Sequence, residues 1–215
     1  MADGVVVGFD LDLTLVDSRP GIAATFRALS LRTGVYIDAD AAVTRLGPPL
    51  DVELALWYPP EQVEAVAETF RQLYPTSAIT TSPLLPGAAE AFAAVRERGG
   101  RVVVITGKYE PNARLHLDHL GLRADEVVGW AWAQGKVDAM LQHGVRVYLG
   151  DHPADMAAAR AVPAAAIGVL TGEHSEDELR AAGADEIFHD LTRFPQWLED
   201  GRHLGWVGSG GSLAW

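Results

Sequence analysis

Apolar and polar positions along this chain fall into two regimes. The apolar run Val5 to Phe9 follows Gly4 and stops at Asp10 and Asp12. A run so short and so continuous reads as a strand buried on both faces, as in a parallel sheet. Residues 17–84 then carry apolar positions at helical spacing only. Pro20 opens the first helix, whose stripe is Ile22, Phe26 and Leu29, up to Gly34. Further helices are expected over Ala39 to Leu46, over Leu50 to Trp57, and from Pro59-Pro60 to about Pro75, the last with Val63, Val66, Phe70 and Leu73 on one face. Gly47-Pro48-Pro49 separates the second from the third.

After Pro86-Gly87 the pattern alternates. A helix with Ala89, Phe92 and Val95 inward ends at Gly99-Gly100, and the strand Arg101 to Ile105 stops at Thr106-Gly107-Lys108. Helices from Pro111 to Leu120, Lys136 to Gln142, after Pro153 and over Glu176 to Ala182 are interleaved with strands at Glu126 to Trp130, Val145 to Leu149, Ala164 to Val169 and Ile187-Phe188. Such alternation implies right-handed βαβ units and a mostly parallel sheet covered on both faces. The expected fold is α/β, a Rossmann-like doubly wound sheet built from residues 1–16 and 85–215, with residues 17–84 as an all-helical insertion.

Three of those strands end in polar clusters: Asp10, Asp12 and Thr14; Thr106-Gly107-Lys108; and Gly150-Asp151 with Asp155 four residues on. A parallel sheet gathers strand ends on one edge, where such sheets keep their ligands. Lys136, after the short third strand, belongs to the same edge. Two strand-end carboxylates one residue apart repel each other, and a cation between them relieves the repulsion. Each group also has a plainer role. Thr106 and Asp151 suit helix caps, Asp155 a helix dipole, and Thr14 a bond within its own loop. Lys108 fits a rim position or a solvated face. His116 and His119, three residues apart, are expected on a helix surface, and His152 has no evident partner. In the helical insertion, Arg45 and Arg19 are the cations free for an anion.

Composition sharpens this. The formal charge is −12 with no basic stretch, which argues against nucleic acid and anionic membrane surfaces as partners. There are no cysteines, so thiolate chemistry and disulfides are excluded. The start lacks the charged and apolar regions of a signal peptide, and a soluble cytoplasmic protein, monomer or homodimer, is expected. Of 17 basic residues only two are lysines, Lys108 and Lys136. A chain that otherwise uses arginine has a use for a compact ammonium at those points.

The four motifs, in this order, resemble the haloacid dehalogenase superfamily, and specifically its phosphatases with a small helical cap, over almost the whole chain. The resemblance implies that residues 17–84 are the cap and that a small phosphorylated metabolite is the substrate. It implies Asp10 as the nucleophile that forms an aspartyl-phosphate, and Asp12 as the acid that protonates the leaving alkoxide and then activates water. Mg²⁺ would be held by Asp10, the backbone carbonyl of Asp12 and Asp151. Thr106, Gly107 and Lys136 would bind phosphoryl oxygens, with Asp155 positioning Lys136 or a water beside the metal. Gly47-Pro48-Pro49-Leu50 resembles phosphoglycolate phosphatases. The chain departs from the family in having Leu13 where glycine is usual and Val137 where many relatives have proline. Asp12 separates it from the dehalogenases, which lack that acid. A phosphosugar mutase of the same superfamily and a non-catalytic, receiver-like regulator are the alternatives.

Overall fold

The computed structural model describes residues 4–201, so the Gly- and Ser-rich tail with Trp206 and Trp215 lies outside the described residues. Six parallel strands form one sheet in the order β3-β2-β1-β4-β5-β6. They are β1 (Val6–Phe9), β2 (Arg101–Ile105), β3 (Glu126–Val128), β4 (Val147–Gly150), β5 (Ala165–Val169) and β6 (Glu186–Phe188). β1 lies between β2, the next strand in the chain, and β4. β2 pairs it with Phe9 opposite Val104, and β4 pairs it with Phe9 opposite Leu149. The strand order reverses between β1 and β4, and at such a switch point the strand ends open a crevice.

The period of two in each strand sorts side chains to opposite faces. Val7, Phe9, Val102, Val104, Val147 and Leu149 pack with α5 (Ala88–Glu97), α6 (Glu110–His119) and α10 (Phe194–Asp200). Phe9 sits 5.3 Å from Phe92 and 5.7 Å from Phe194, ring to ring. Val103, Ile105, Tyr148 and Ala166 face α7 (Gln134–His143), α8 (Pro153–Arg160) and α9 (Glu176–Ala181). Among the described residues no helix is long and apolar enough to cross a membrane.

Residues 17–84 build a separate apolar cluster from α1 (Arg19–Thr33), α2 (Ala39–Ala42), α3 (Leu50–Leu54) and α4 (Pro60–Ser77). Phe26 of α1 meets Phe70 of α4 at 4.8 Å. Gly34 closes α1 in the left-handed conformation, with its N–H donating to the Ser30 carbonyl. The chain enters and leaves this segment side by side, since Val16 bridges Leu84.

Several details depart from the sequence pattern. α4 runs through Pro75, which costs one N–H donor but not the helix, because Tyr74 beside it is anchored in the apolar cluster. α3 stops at Leu54, leaving Leu56 exposed. Ala89 is exposed, and Ala88 and Ala91 face inward instead. The sequence pattern gave no sign of α10, which is short but buries Phe194, Trp197 and Leu198.

Gly87 carries the turn into α5 at φ +82°, and a Cβ there would lie 2.2 Å from the Thr192 backbone nitrogen. A left-handed conformation and a backbone collision both oppose a side chain. Gly87→Ala is expected to cost roughly 2–4 kcal/mol, read as a lower midpoint in urea unfolding.

Candidate active site

The site begins where β1 ends. Asp10, the next residue, is tied by its N–H to the Leu149 carbonyl at 2.9 Å, so it stays in the sheet's plane at the switch point. The chain then curls: Leu15 N–H donates to the Leu11 carbonyl at 2.9 Å, and Leu13 N–H to that of Val16 at 2.8 Å. Leu13 takes φ +58° within this curl. That is the left-handed region, which explains why glycine suits the position in the family the motifs resemble; a leucine pays roughly 1–2 kcal/mol for it. Leu13 is buried and lines the cavity above Asp10, so it does not turn away from it. Its carbonyl accepts from Thr171 Oγ1.

Around Asp10 the expected residues converge. Lys136, the third residue of α7 and 1% exposed, places Nζ 3.2 Å from Asp10 Oδ1 and 2.5 Å from Asp155 Oδ1. Asp155 in turn accepts from Tyr148 Oη at 3.4 Å and, through Oδ2, from His152 N–H at 3.2 Å. It completes a capping box at the start of α8 with His152, whose Nδ1 accepts from Ala154 N–H at 3.0 Å. Asp155 thus orients Lys136, and His152 has a partner that sequence alone did not supply. Asp151 follows β4 and accepts from Thr14 Oγ1 at 3.2 Å. Thr106 follows β2, is buried, and its Oγ1 accepts from Lys108 N–H at 3.2 Å. Gly107 lines the cavity beside it.

Asp12 is paired separately. Its Oδ1 lies 2.9 Å from Lys108 Nζ, and that ammonium sits 4.6 Å over the Tyr74 ring from α4. Lys108 is therefore neither a rim residue nor solvated. Tyr74 Oη bonds His116 Nε2 at 2.9 Å. The expectation of a surface His116 is corrected here: it is fully buried, because α4 covers that face of α6. Arg45 reaches the cavity lining but gives Glu53 two bonds, at 2.6 and 2.9 Å. Arg19 is outside the lining and pairs with Asp17 at 2.8 Å and Glu173 at 3.3 Å.

The sequence reading missed Thr171-Gly172, in the loop after β5. A Cβ on Gly172 would sit 2.0 Å from Asp151 Oδ2, so only glycine lets this loop close on that carboxylate. Thr-Gly at a strand end, as at Thr106-Gly107, was the available signal. It also missed Arg71 and Trp130, which line the cavity. The cavity, of about 220 Å³, lies between the strand ends and the faces of α1 and α4 that carry Phe26, Phe70 and Tyr74.

Electrostatics follow from this packing. Burial raises the Asp10 carboxyl to about 7; Lys136 opposes the rise, and Asp155 and Asp12 add to it. Burial, then Asp10 and Asp155, push Asp151 well above the ordinary carboxylate value. For Asp12, burial alone would do the same, but Lys108 outweighs it and holds the carboxyl below its usual value. Burial and the nearby Lys108 bring His116 down to about 4, so it is neutral. Asp10, Asp151 and Asp155 present oxygens within 4.8 Å of one another, and Asp10 Oδ1 is buried without a hydrogen bond. An acidic, oxygen-only set with an orphaned oxygen fits a hard divalent cation.

Fold and site together define a doubly wound α/β protein with an acidic, lysine-containing site at a sheet switch point. A family model described as haloacid dehalogenase-like hydrolase matches residues 7–160, and a HAD-hydrolase-like model matches 136–194. The chain belongs to the haloacid dehalogenase-like hydrolases. Among curated proteins it is 32% identical to the tyrosine-protein kinase PtkA of Mycobacterium tuberculosis, over 82% of this chain and 72% of that one. It is 29% identical to a phosphoglycolate phosphatase of Rhodospirillum rubrum, over 88% and 89%. A solved haloacid dehalogenase-like family hydrolase from Streptococcus pneumoniae superposes with a TM-score of 0.78 at 22% identity, covering 92% of this chain and 100% of that one.

Asp10 titrates higher in the fold than in the unfolded chain, so the fold holds an extra proton between pH 3.8 and about 7. Without a cation, stability should therefore fall as pH rises through that window. A divalent cation needs the same oxygens deprotonated. At a hundredfold excess over Kd it should add about 2.7 kcal/mol, a Tm rise of roughly 5–10 °C. Thermal unfolding at pH 8 and pH 6 should show the larger rise at pH 8. A rise independent of pH would place the cation elsewhere.

Proposed function

We propose that this hydrolase is a Mg²⁺-dependent phosphatase that cleaves a small phosphate monoester through an aspartyl-phosphate on Asp10. The observation that carries the reading is the Asp10 carboxylate oxygen itself. It is buried at the cavity floor, without a hydrogen bond, with the Lys136 ammonium 3.2 Å away. A carboxylate oxygen with no hydrogen bond in such a place suits a nucleophile, and the ammonium paired with it suits an incoming phosphoryl group.

Asp10 attacks phosphorus as the bond to the ester oxygen breaks, and the carboxyl proton of Asp12 passes to the departing alkoxide. Asp12, now ionised, takes a proton from water; that water attacks the phosphoryl group and returns Asp10 as a carboxylate. The Lys108 pair favours the ionised state of Asp12, which is the state the second half needs. For the first half Asp12 must leave Lys108 and carry a proton. Lys136, Thr106 and the backbone of Gly107 bind the equatorial oxygens. Mg²⁺, held by Asp10, Asp151 and the Asp12 carbonyl, would supply positive charge against those oxygens.

Relatives named phosphoglycolate phosphatase make 2-phosphoglycolate the first ester to test. The relative named tyrosine-protein kinase supports a second reading, in which a hydroxyl and not water takes the phosphoryl group from Asp10. Phosphate release into solution distinguishes the two.

The two aspartates should fail differently. Asp10→Asn should lower hydrolysis by several orders of magnitude, and EDTA should abolish it in the wild type. Asp12→Asn keeps the nucleophile but cannot activate water. Given acetyl phosphate, whose leaving group needs no proton, it should accumulate a covalent phosphate adduct by intact-mass spectrometry. The same adduct on Asp10→Asn would remove Asp10 from its role.

A further inference from the structure

Four cations line the cavity: Lys136, Lys108, Arg45 and Arg71. Three of them are closely held by carboxylates. Lys136 lies 2.5 Å from Asp155, Lys108 lies 2.9 Å from Asp12, and Arg45 makes two bonds to Glu53. Arg71, in the middle of α4, is different. Its nearest acids are Asp51 at 3.5 Å and Glu68 at 3.9 Å. Among the described residues its hydrogen bonding is that one contact, Nη2 to Asp51. Yet its side chain is only 13% exposed. A guanidinium carries five N–H donors, so most of these have no protein acceptor and stay available in the cavity that Arg71 lines.

The group is also held by aromatic rings. Its carbon lies 4.4 Å over the Trp130 ring and 5.8 Å from the centre of the Tyr109 ring. Contact with the rings holds the charge in place without using its N–H donors, which suit the two-pronged bonding that a carboxylate matches. Trp130 reaches this position at φ +58°, left-handed and unusual for an aromatic residue, and Ala133 in the same loop is at φ +46°. Backbone strain of this kind persists where surrounding structure holds it, often at a ligand site.

We infer that Arg71 is the specificity-determining residue of the cavity, binding a carboxylate on the leaving part of the ester with Trp130 as its platform. The substrate class is then the phosphorylated hydroxy acids. The carbon skeleton between phosphate and carboxylate would lie against Ile22, Phe26 and Phe70, which line the same cavity. Arg45, its charge already answered by Glu53, does not share this role. The inference rests on the phosphatase reading above.

The test compares kcat/KM for 2-phosphoglycolate with that for ethyl phosphate, which lacks the carboxylate but leaves as a similar alcohol. The wild type should prefer 2-phosphoglycolate. Arg71→Met should lower the ratio of the two values ten- to a hundredfold, mainly through KM for the acid. Arg71→Lys, which keeps the charge and loses the fork, should lower it less. Arg45→Met should change the ratio less than threefold. If Arg71→Met does not fold, the lysine variant and the Arg45 comparison decide. A wild type that prefers ethyl phosphate, an unchanged ratio in the Arg71 variants, or a selective loss in Arg45→Met would each overturn the inference and leave the phosphatase reading intact. A wild type that hydrolyses none of these esters, nor 4-nitrophenyl phosphate, with Mg²⁺ present would sink that reading and the inference with it.

Discussion

The Lys136 ammonium, buried between Asp10 and Asp155, is the contact on which the rest of the site depends. Stripping one charge of water costs several kcal/mol, and this cost is met only where opposite charges and hydrogen bonds are fixed in place. Much of the surrounding sequence does that fixing. Tyr148 of β4 donates to the Ile105 carbonyl and reaches Asp155, so two strands steady one carboxylate. Gly150 is required because a Cβ there would sit 2.4 Å from the Asp155 carboxyl carbon. The capping box of α8 holds the same carboxylate from the other side. Removing Lys136 would leave Asp10 and Asp155 facing each other without a counterion, which is worse than losing a surface pair.

The balance of charge explains why the site invites a cation. Asp10, Asp151 and Asp155 are buried acids, Asp12 is a partly buried one beside them, and Lys108 and Lys136 are the only lysines in the chain. Four carboxylates against two ammoniums leave an excess of two negative charges, the charge one divalent ion carries. Without such an ion the excess must be met by protons, and the raised values of Asp10 and Asp151 express that demand. Asp12 escapes it because Lys108 is its own. The two strand-end aspartates, separated by one residue, therefore have opposite shifts, and such a split suits an acid–base group beside a nucleophile.

How much of this was legible in the sequence depends on whether local pattern or tertiary packing decides. Strand ends were legible: Asp10, Thr106 and Asp151 each follow an apolar run, and a parallel sheet leaves little freedom in where they go. The paired lysines were legible too, because a chain with 15 arginines marks its two exceptions. His116 was not. Its spacing with His119 looks like a wet helical face, and only the crossing of α4 over α6 makes one of them dry. Arg71 was hidden for a related reason: it stands among the glutamates of α4, and nothing local says that Trp130, from a loop about sixty positions on, will lie under it. Thr171-Gly172 was legible in kind but not in place, since the close approach to Asp151 belongs to a loop whose path the pattern does not give.

Work is divided between the two parts of the molecule by the same logic. The groups proposed to break and form bonds sit at strand ends, where backbone hydrogen bonds such as Asp10 N–H to Leu149 and Thr106 N–H to Val128 hold them in register with the sheet. Helices α1 and α4 bring apolar side chains and a single loosely paired cation to the opposite wall. Side chains on such a wall can change without disturbing the strand ends, because the two apolar clusters are built from different residues. Besides the Arg71 contact with Trp130, the helical part touches the sheet part near Asp12: Tyr74 of α4 lies over the Lys108 ammonium and bonds His116. Lys108 in turn holds Asp12. The position of α4 is therefore felt at the acid–base group as well as at the wall. On the proposed reading, the helix that meets the leaving group also lies against the ammonium that holds the acid assigned to protonate it.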